Sequence, residues 1–128
     1  MRTTRLEQAK EVFSELVDSD PKDTRSLRLL GATLDQMENH EEAVATLKRA
    51  ADIDPKNAET YGYLGSAQLS AGQYDDAIKS FEEALRLSSD YKGAALGLAA
   101  AYKAKGMDAQ AAAARERAAS MNDLPVTR

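Results

Sequence analysis

Residues 61–89 read YGYLGSAQLSAGQYDDAIKSFEEALRLSS, and the order of residue types in this stretch decides the fold. Tyr61, Leu64 and Gly65 are followed by a break at Gly72, then by Tyr74, Ala77, Phe81 and Ala84. Apolar residues three and four apart share one face of a helix, and glycine accepts the left-handed conformation that ends one. The stretch therefore reads as two amphipathic helices joined by a tight turn.

The same types return at steps of 34 residues on either side. Ala9, Ala43, Ala77 and Ala111 form one series, Phe13, Leu47 and Phe81 a second, and Leu16, Ala50, Ala84 and Ala118 a third. Leu30, Leu64 and Leu98 repeat in the partner helix, each followed by a small residue, Gly31, Gly65 or Ala99. Asp-Pro at 20–21 and 54–55 and the glycines Gly72 and Gly106 mark where helices stop, because proline cannot continue a helix. The periodicity predicts seven helices, near residues 3–18, 24–37, 41–53, 58–71, 74–87, 92–105 and 108–121. A fixed period of this length is the signature of a solenoid, in which each unit buries its apolar face only against its neighbours.

Tyr61, Leu64, Gly65, Gly72, Tyr74, Ala77, Phe81 and Ala84 resemble the tetratricopeptide repeat pattern, with Ser89 where the pattern has proline. The resemblance spans about residues 6–121 and implies an all-α, right-handed superhelical solenoid of antiparallel helix pairs. One domain over 1–128 is expected: an unpaired helix at 3–20, repeats at 24–57, 58–91 and 92–123, the last with a terminal cap helix, and a flexible tail at 124–128. Departures from the pattern carry expectations of their own. Glu38 replaces the turn glycine of the first complete unit and His40 its tyrosine, so a differently shaped turn is expected there, with Asn39 capping the next helix through the spacing to Glu42. In the last unit Arg115 stands where Leu47 and Phe81 stand before it, which suits the polar outer face of a terminal repeat. The first helix matches only the second half of a unit. An exposed apolar edge at Leu6, Val12 and Val17 would mark either a chain cut from a longer array or an oligomer formed through that helix.

Composition narrows the function. The 17 basic and 21 acidic residues give a net charge of −4, without the basic excess that holds phosphate backbones, so nucleic acid is not an expected partner. Charge is unevenly spread: residues 35–90 hold 5 basic and 12 acidic side chains, residues 91–128 hold 6 and 3. No window has the roughly 20 apolar residues of a membrane span, and Met1–Arg5 runs directly into charged residues, so no membrane insertion is expected and a cytoplasmic location is. With no cysteine and a single histidine, His40, the chain lacks the groups of a catalytic triad or a metal site. The doublets Glu41–Glu42 and Asp75–Asp76 fall in first turns of helices, where carboxylates complement the helix dipole. A non-enzyme without cofactor or metal is expected.

The tetratricopeptide resemblance puts the first helix of each unit on the concave side. Removing packing positions leaves a candidate peptide groove: Arg25, Arg28, Ala32, Asp35 and Gln36; Glu59, Gly62, Tyr63, Ser66, Leu69 and Ser70; Gly93, Leu96, Gly97, Ala100 and Lys103. Gly62, Gly93 and Gly97 leave room either for a ligand or for neighbouring helices. Tyr63, Leu69 and Leu96 offer apolar contact. Arg25 and Arg28, three apart, can fork onto a carboxylate. Some family members clamp chaperone tails with asparagines on these helices; Ala32, Ser66 and Ala100 occupy those positions here, which argues against such tails. The expected function is a scaffold for a protein or peptide partner, the alternative a self-assembling module. Replacing Ala77 by leucine is expected to overpack a helix junction and cost about 1–3 kcal/mol, read as a lower melting temperature.

Overall fold

The structure, a computed structural model, describes residues 4–121. Seven helices and no strand occur among them: α1 (Arg5–Ser19), α2 (Thr24–Gln36), α3 (His40–Ile53), α4 (Ala58–Ser70), α5 (Tyr74–Leu87), α6 (Lys92–Ala104) and α7 (Asp108–Ser120). Each boundary lies within two residues of the expected one. The tail expected at 124–128 falls outside the described residues.

Each helix packs on the next in the chain, and α2, α4 and α6 also touch one another in a row. No such contact joins α1, α3, α5 and α7. A stack whose alternate helices touch on one side and stand apart on the other curves around the touching row. The inner faces of α2, α4 and α6 therefore form the concave side of the solenoid.

Small-against-large packing sets the spacing. A β-carbon added to Gly31 would lie 2.5 Å from the Leu47 side chain, and one added to Gly65 would lie 2.8 Å from the Phe81 ring. Helix backbones approach closely only because nothing projects at these points. Leu27, Leu34, Leu47 and Phe81 are the large side chains that fill the resulting core, with Ala43, Ala50, Ala77 and Ala84 fully buried between them. Between α4 and α5 the buried Ser80 hydroxyl donates to Gln68 Oε1 at 2.6 Å, which satisfies two polar groups that burial would otherwise penalise.

Local signals explain where helices start. Thr4 and Glu7 form a reciprocal capping box on α1. Asp23 caps α2, its carboxylate accepting from the Arg25 and Ser26 backbone amides and from the Ser26 hydroxyl at 2.8 Å. The Ser26 hydroxyl and amide bonds hold the Asp23 carboxyl below its ordinary range. Asn57 caps α4 through the Thr60 amide. Asn39 stands at the N-cap of α3 but makes no side-chain bond there, contrary to the expected capping arrangement. The turn before it supplies the entry instead.

That turn keeps the common shape rather than the different one expected of it. Glu38 has φ 65°, beside 80° at Gly72 and 78° at Gly106. The Asn39 amide bonds to the Leu34 carbonyl at 2.9 Å, as Gln73 does to Gln68 and Met107 to Tyr102. All three units use the same left-handed helix stop. Tertiary packing of α3 on α2 imposes it on a glutamate, which tolerates the conformation at a cost that glycine avoids. Glu38→Gly is therefore expected to raise stability by about 1 kcal/mol or less once the extra unfolded-state freedom of glycine is counted, and the melting temperature with it. Gly72→Ala should lower it, both read by thermal circular dichroism.

The two ends of the stack differ. On α1, Val17 is buried with Leu27 and Ala50, so it does not belong to the apolar edge expected for it. Val12 and Leu16 are 51% and 45% exposed, although Ala50 and Ala84, the counterparts of Leu16, are fully covered. On α7, Arg115 is exposed.

Candidate functional site

The concave surface is built from four rows that cross α2, α4 and α6 in the repeat register. Arg25, Glu59 and Gly93 lie in the first turns of the three helices and all are exposed. Arg28, Gly62 and Leu96 follow, then Ala32, Ser66 and Ala100, then Asp35, Leu69 and Lys103. Side chains three and four apart on a helix share a face, so these rows form one continuous surface. Its floor is small: Ser66 and Ala100 are exposed, and Ala32 is partly so.

The glycines divide. Gly62 is buried, and a β-carbon there would lie 2.3 Å from the hydroxyl of Tyr91. Gly97 would place one 2.4 Å from the Phe81 ring. The room left by these two glycines is taken by the protein's own aromatic side chains, which removes them from the groove as ligand space. Gly93 is exposed, and a β-carbon added there would lie 3.2 Å from the Tyr91 ring.

Tyr91, absent from the sequence-based site, thereby enters it. It stands at the N-cap of α6 with its phenol over Gly62. Burial, and then the neighbouring Tyr63 and Glu59, push its ionisation above the ordinary range, so it remains a neutral phenol at physiological pH. The signal in the sequence was Gly62 itself: an unexplained glycine in a helix points to a bulky neighbour, though not to which one. The repeat register helps only afterwards, since Asn57 and Arg28 occupy the equivalent positions one unit earlier.

Apolar contact comes from three expected residues with different degrees of commitment to the core. Tyr63 packs against the cluster around Leu34, Leu47 and Leu64, and Leu69 against the cluster around Phe81 and Leu98. Leu96 is 48% exposed and is the large aliphatic side chain most available on the inner face. Asp35 turns to other work: its Oδ1 lies 2.6 Å from His40 Nδ1, tying the end of α2 to the start of α3. Arg25 and Arg28 make no ion pair among the described residues, so both guanidiniums remain available to an outside acceptor. Gln36, Ser70 and Lys103 are exposed near the turn ends of their helices.

A second concavity of about 530 Å³ opens at the turn edge between Glu38, His40, Glu41, Glu42 and Ser70. Among the described residues no three His, Asp or Glu side chains converge as a metal ion would need. The doublets behave as the dipole argument requires, with Glu41, Glu42, Asp75 and Asp76 in first turns. Glu83 pairs with Arg86 at 2.5 Å and Asp75 with Lys105. No helix among the described residues is long and apolar enough to cross a membrane.

The family model described as tetratricopeptide repeat matches residues 1–66, 34–79 and 68–122. Among curated proteins none matches the sequence. Similar solved structures include a crystal structure of MamA, 23% identical with TM-score 0.83, covering 95% of this chain and 77% of that one. Another, MamA MSR-1, is 25% identical with TM-score 0.79 over 91% of this chain and 67% of that one. A third, MamA AMB-1, is 26% identical with TM-score 0.79, over 88% and 67%.

Gly97→Ala is expected to drive a methyl into the enclosed Phe81 ring and to cost about 1–3 kcal/mol. Ala100→Ser, one turn along on the exposed floor, should leave the melting temperature within about 1 °C. Equal melting curves for the two variants would contradict the packing assigned to Gly97.

Proposed function

Because the chain belongs to the tetratricopeptide repeat family, we propose that it is a non-catalytic, cytoplasmic scaffold holding a segment of a protein partner along the inner faces of α2, α4 and α6. Repeats of this family generally mediate protein–protein interaction. One observation carries the finer reading: a half-exposed Leu96 stands beside a floor of small residues, with two arginines, Arg25 and Arg28, at the other end of the same face. An exposed leucine in a shallow trough gains from burial against an apolar partner side chain, by roughly 1.5–3 kcal/mol when fully covered. The small floor lets a partner's backbone or helix approach closely. Arg25 and Arg28 add charge-assisted bonds to a carboxylate and set the direction in which the segment lies.

A second reading, self-association through α1, is favoured by a separate observation, the exposure of Val12 and Leu16 on a helix whose helix–helix packing among the described residues is with α2. The two readings use different surfaces and are compatible.

For the groove, Leu96→Glu and Arg28→Glu are expected to reduce partner retention in pull-downs at least tenfold, about 1.4 kcal/mol or more. Ala112→Glu on the outer helix α7 should leave it unchanged, with all three variants keeping wild-type helicity. Retention of every partner by both groove variants would overturn the assignment.

A further inference from the structure

We infer that α1 pairs with α1 of a second copy, antiparallel and two-fold symmetric, with the dyad between Val12 and Phe13. The inference rests on the self-association reading and specifies its geometry. Ala9, Val12, Phe13 and Leu16 are spaced to share one helix face. In the complete units the positions 34 residues on from Ala9, Phe13 and Leu16 are Ala43, Leu47 and Ala50, all fully buried. On α1 none of the four reaches that state: Val12 and Leu16 are exposed, Ala9 and Phe13 intermediate. Val17, one turn on from Phe13 at the edge of this face, is buried with Leu27 of α2, so the uncovered side is the one centred on Val12 and Leu16.

The face is complementary to itself. An antiparallel pairing about the dyad sets Ala9 against Leu16 of the second copy and Val12 against Phe13 of the second copy. Small thus meets large, the rule that joins Gly31 to Leu47 and Gly65 to Phe81 inside the solenoid. Charge agrees at both ends. Arg5 opens α1 and Asp20 closes it, both exposed, and the pairing brings Arg5 beside Asp20 of the second copy, twice by symmetry. The acidic Glu7, Glu11, Glu15 and Asp18 lie off the four-residue face. The antiparallel direction also sets each helix N-terminus near a C-terminus, the favourable alignment of two dipoles. One pair of 15-residue helices falls at or under the roughly 1,200 Å² of small, transient interfaces, so the dimer forms with rising concentration rather than permanently.

The chain has no cysteine, so single cysteines report the register. Near the dyad, Val12→Cys is expected to form a disulfide-linked dimer under mild oxidation. Leu16→Cys and Ala9→Cys each lie about 10 Å along the axis from their own copies, by the rise of 1.5 Å per residue, beyond disulfide reach. Neither should link alone, and an equimolar mixture of the two should link. Sedimentation equilibrium of the cysteine-free chain should show dimer growing over about 10 µM to 1 mM, with Arg5→Glu weakening it and Arg5→Glu with Asp20→Arg restoring it. Leu16→Cys linking to itself, with the mixture silent, replaces the antiparallel pairing by a parallel one and overturns the geometry while leaving self-association standing. A chain that stays monomeric throughout, with Val12→Cys unlinked, removes both.

Discussion

The ring of Phe81 held between the backbones of α4 and α6 is the contact on which the rest of the stack depends. Gly65 on α4 and Gly97 on α6 both present bare backbone to it, and the ring is 1% exposed. One side chain therefore joins its own unit to the next. Its counterpart, Leu47, is smaller, and the position facing it from the following unit is Tyr63 rather than glycine. Volume lost on one side of the junction is supplied from the other. Close-packed interiors accept such exchanges when total side-chain volume is conserved.

The same exchange shapes the concave surface. Gly62 yields to the phenol of Tyr91, whereas one unit earlier the corresponding pair is Arg28 and Asn57. An arginine projects where the later unit has a tyrosine lying flat. The inner face therefore changes character along its length, from cationic at α2 through aromatic at α4 to aliphatic at Leu96 on α6. A repeat architecture needs only its junction residues to recur. Positions that face outward or into the groove are free to differ, and it is there that a scaffold acquires a preference among partners.

The first and last of the described helices differ in what they leave uncovered. At α7 the junction position holds Arg115, whose hydrated charge needs no cover. At α1 it holds Phe13, with Val12 and Leu16 exposed beside it. Of the two, α1 presents the apolar face and α7 the charged one.

Much of this is legible in the order of residues alone. The 34-residue recurrence of Ala77, Phe81 and Gly65 determined the helix count, the helix limits and the antiparallel pairing, since each unit carries its own periodicity and stop signals locally. The charge at Arg115 and the dipole role of the acidic doublets were equally local. What the tertiary structure decided was every question of which neighbour fills a space. Glu38 takes a glycine-like φ because α3 packs on α2, Asp35 bonds to His40, Val17 turns inward, and Gly62 and Gly97 are filled by Tyr91 and Phe81. A glycine in a sequence announces that something comes close. Only the folded chain decides what, because the groups that meet there lie 29 and 16 residues away and their approach depends on how two helices cross.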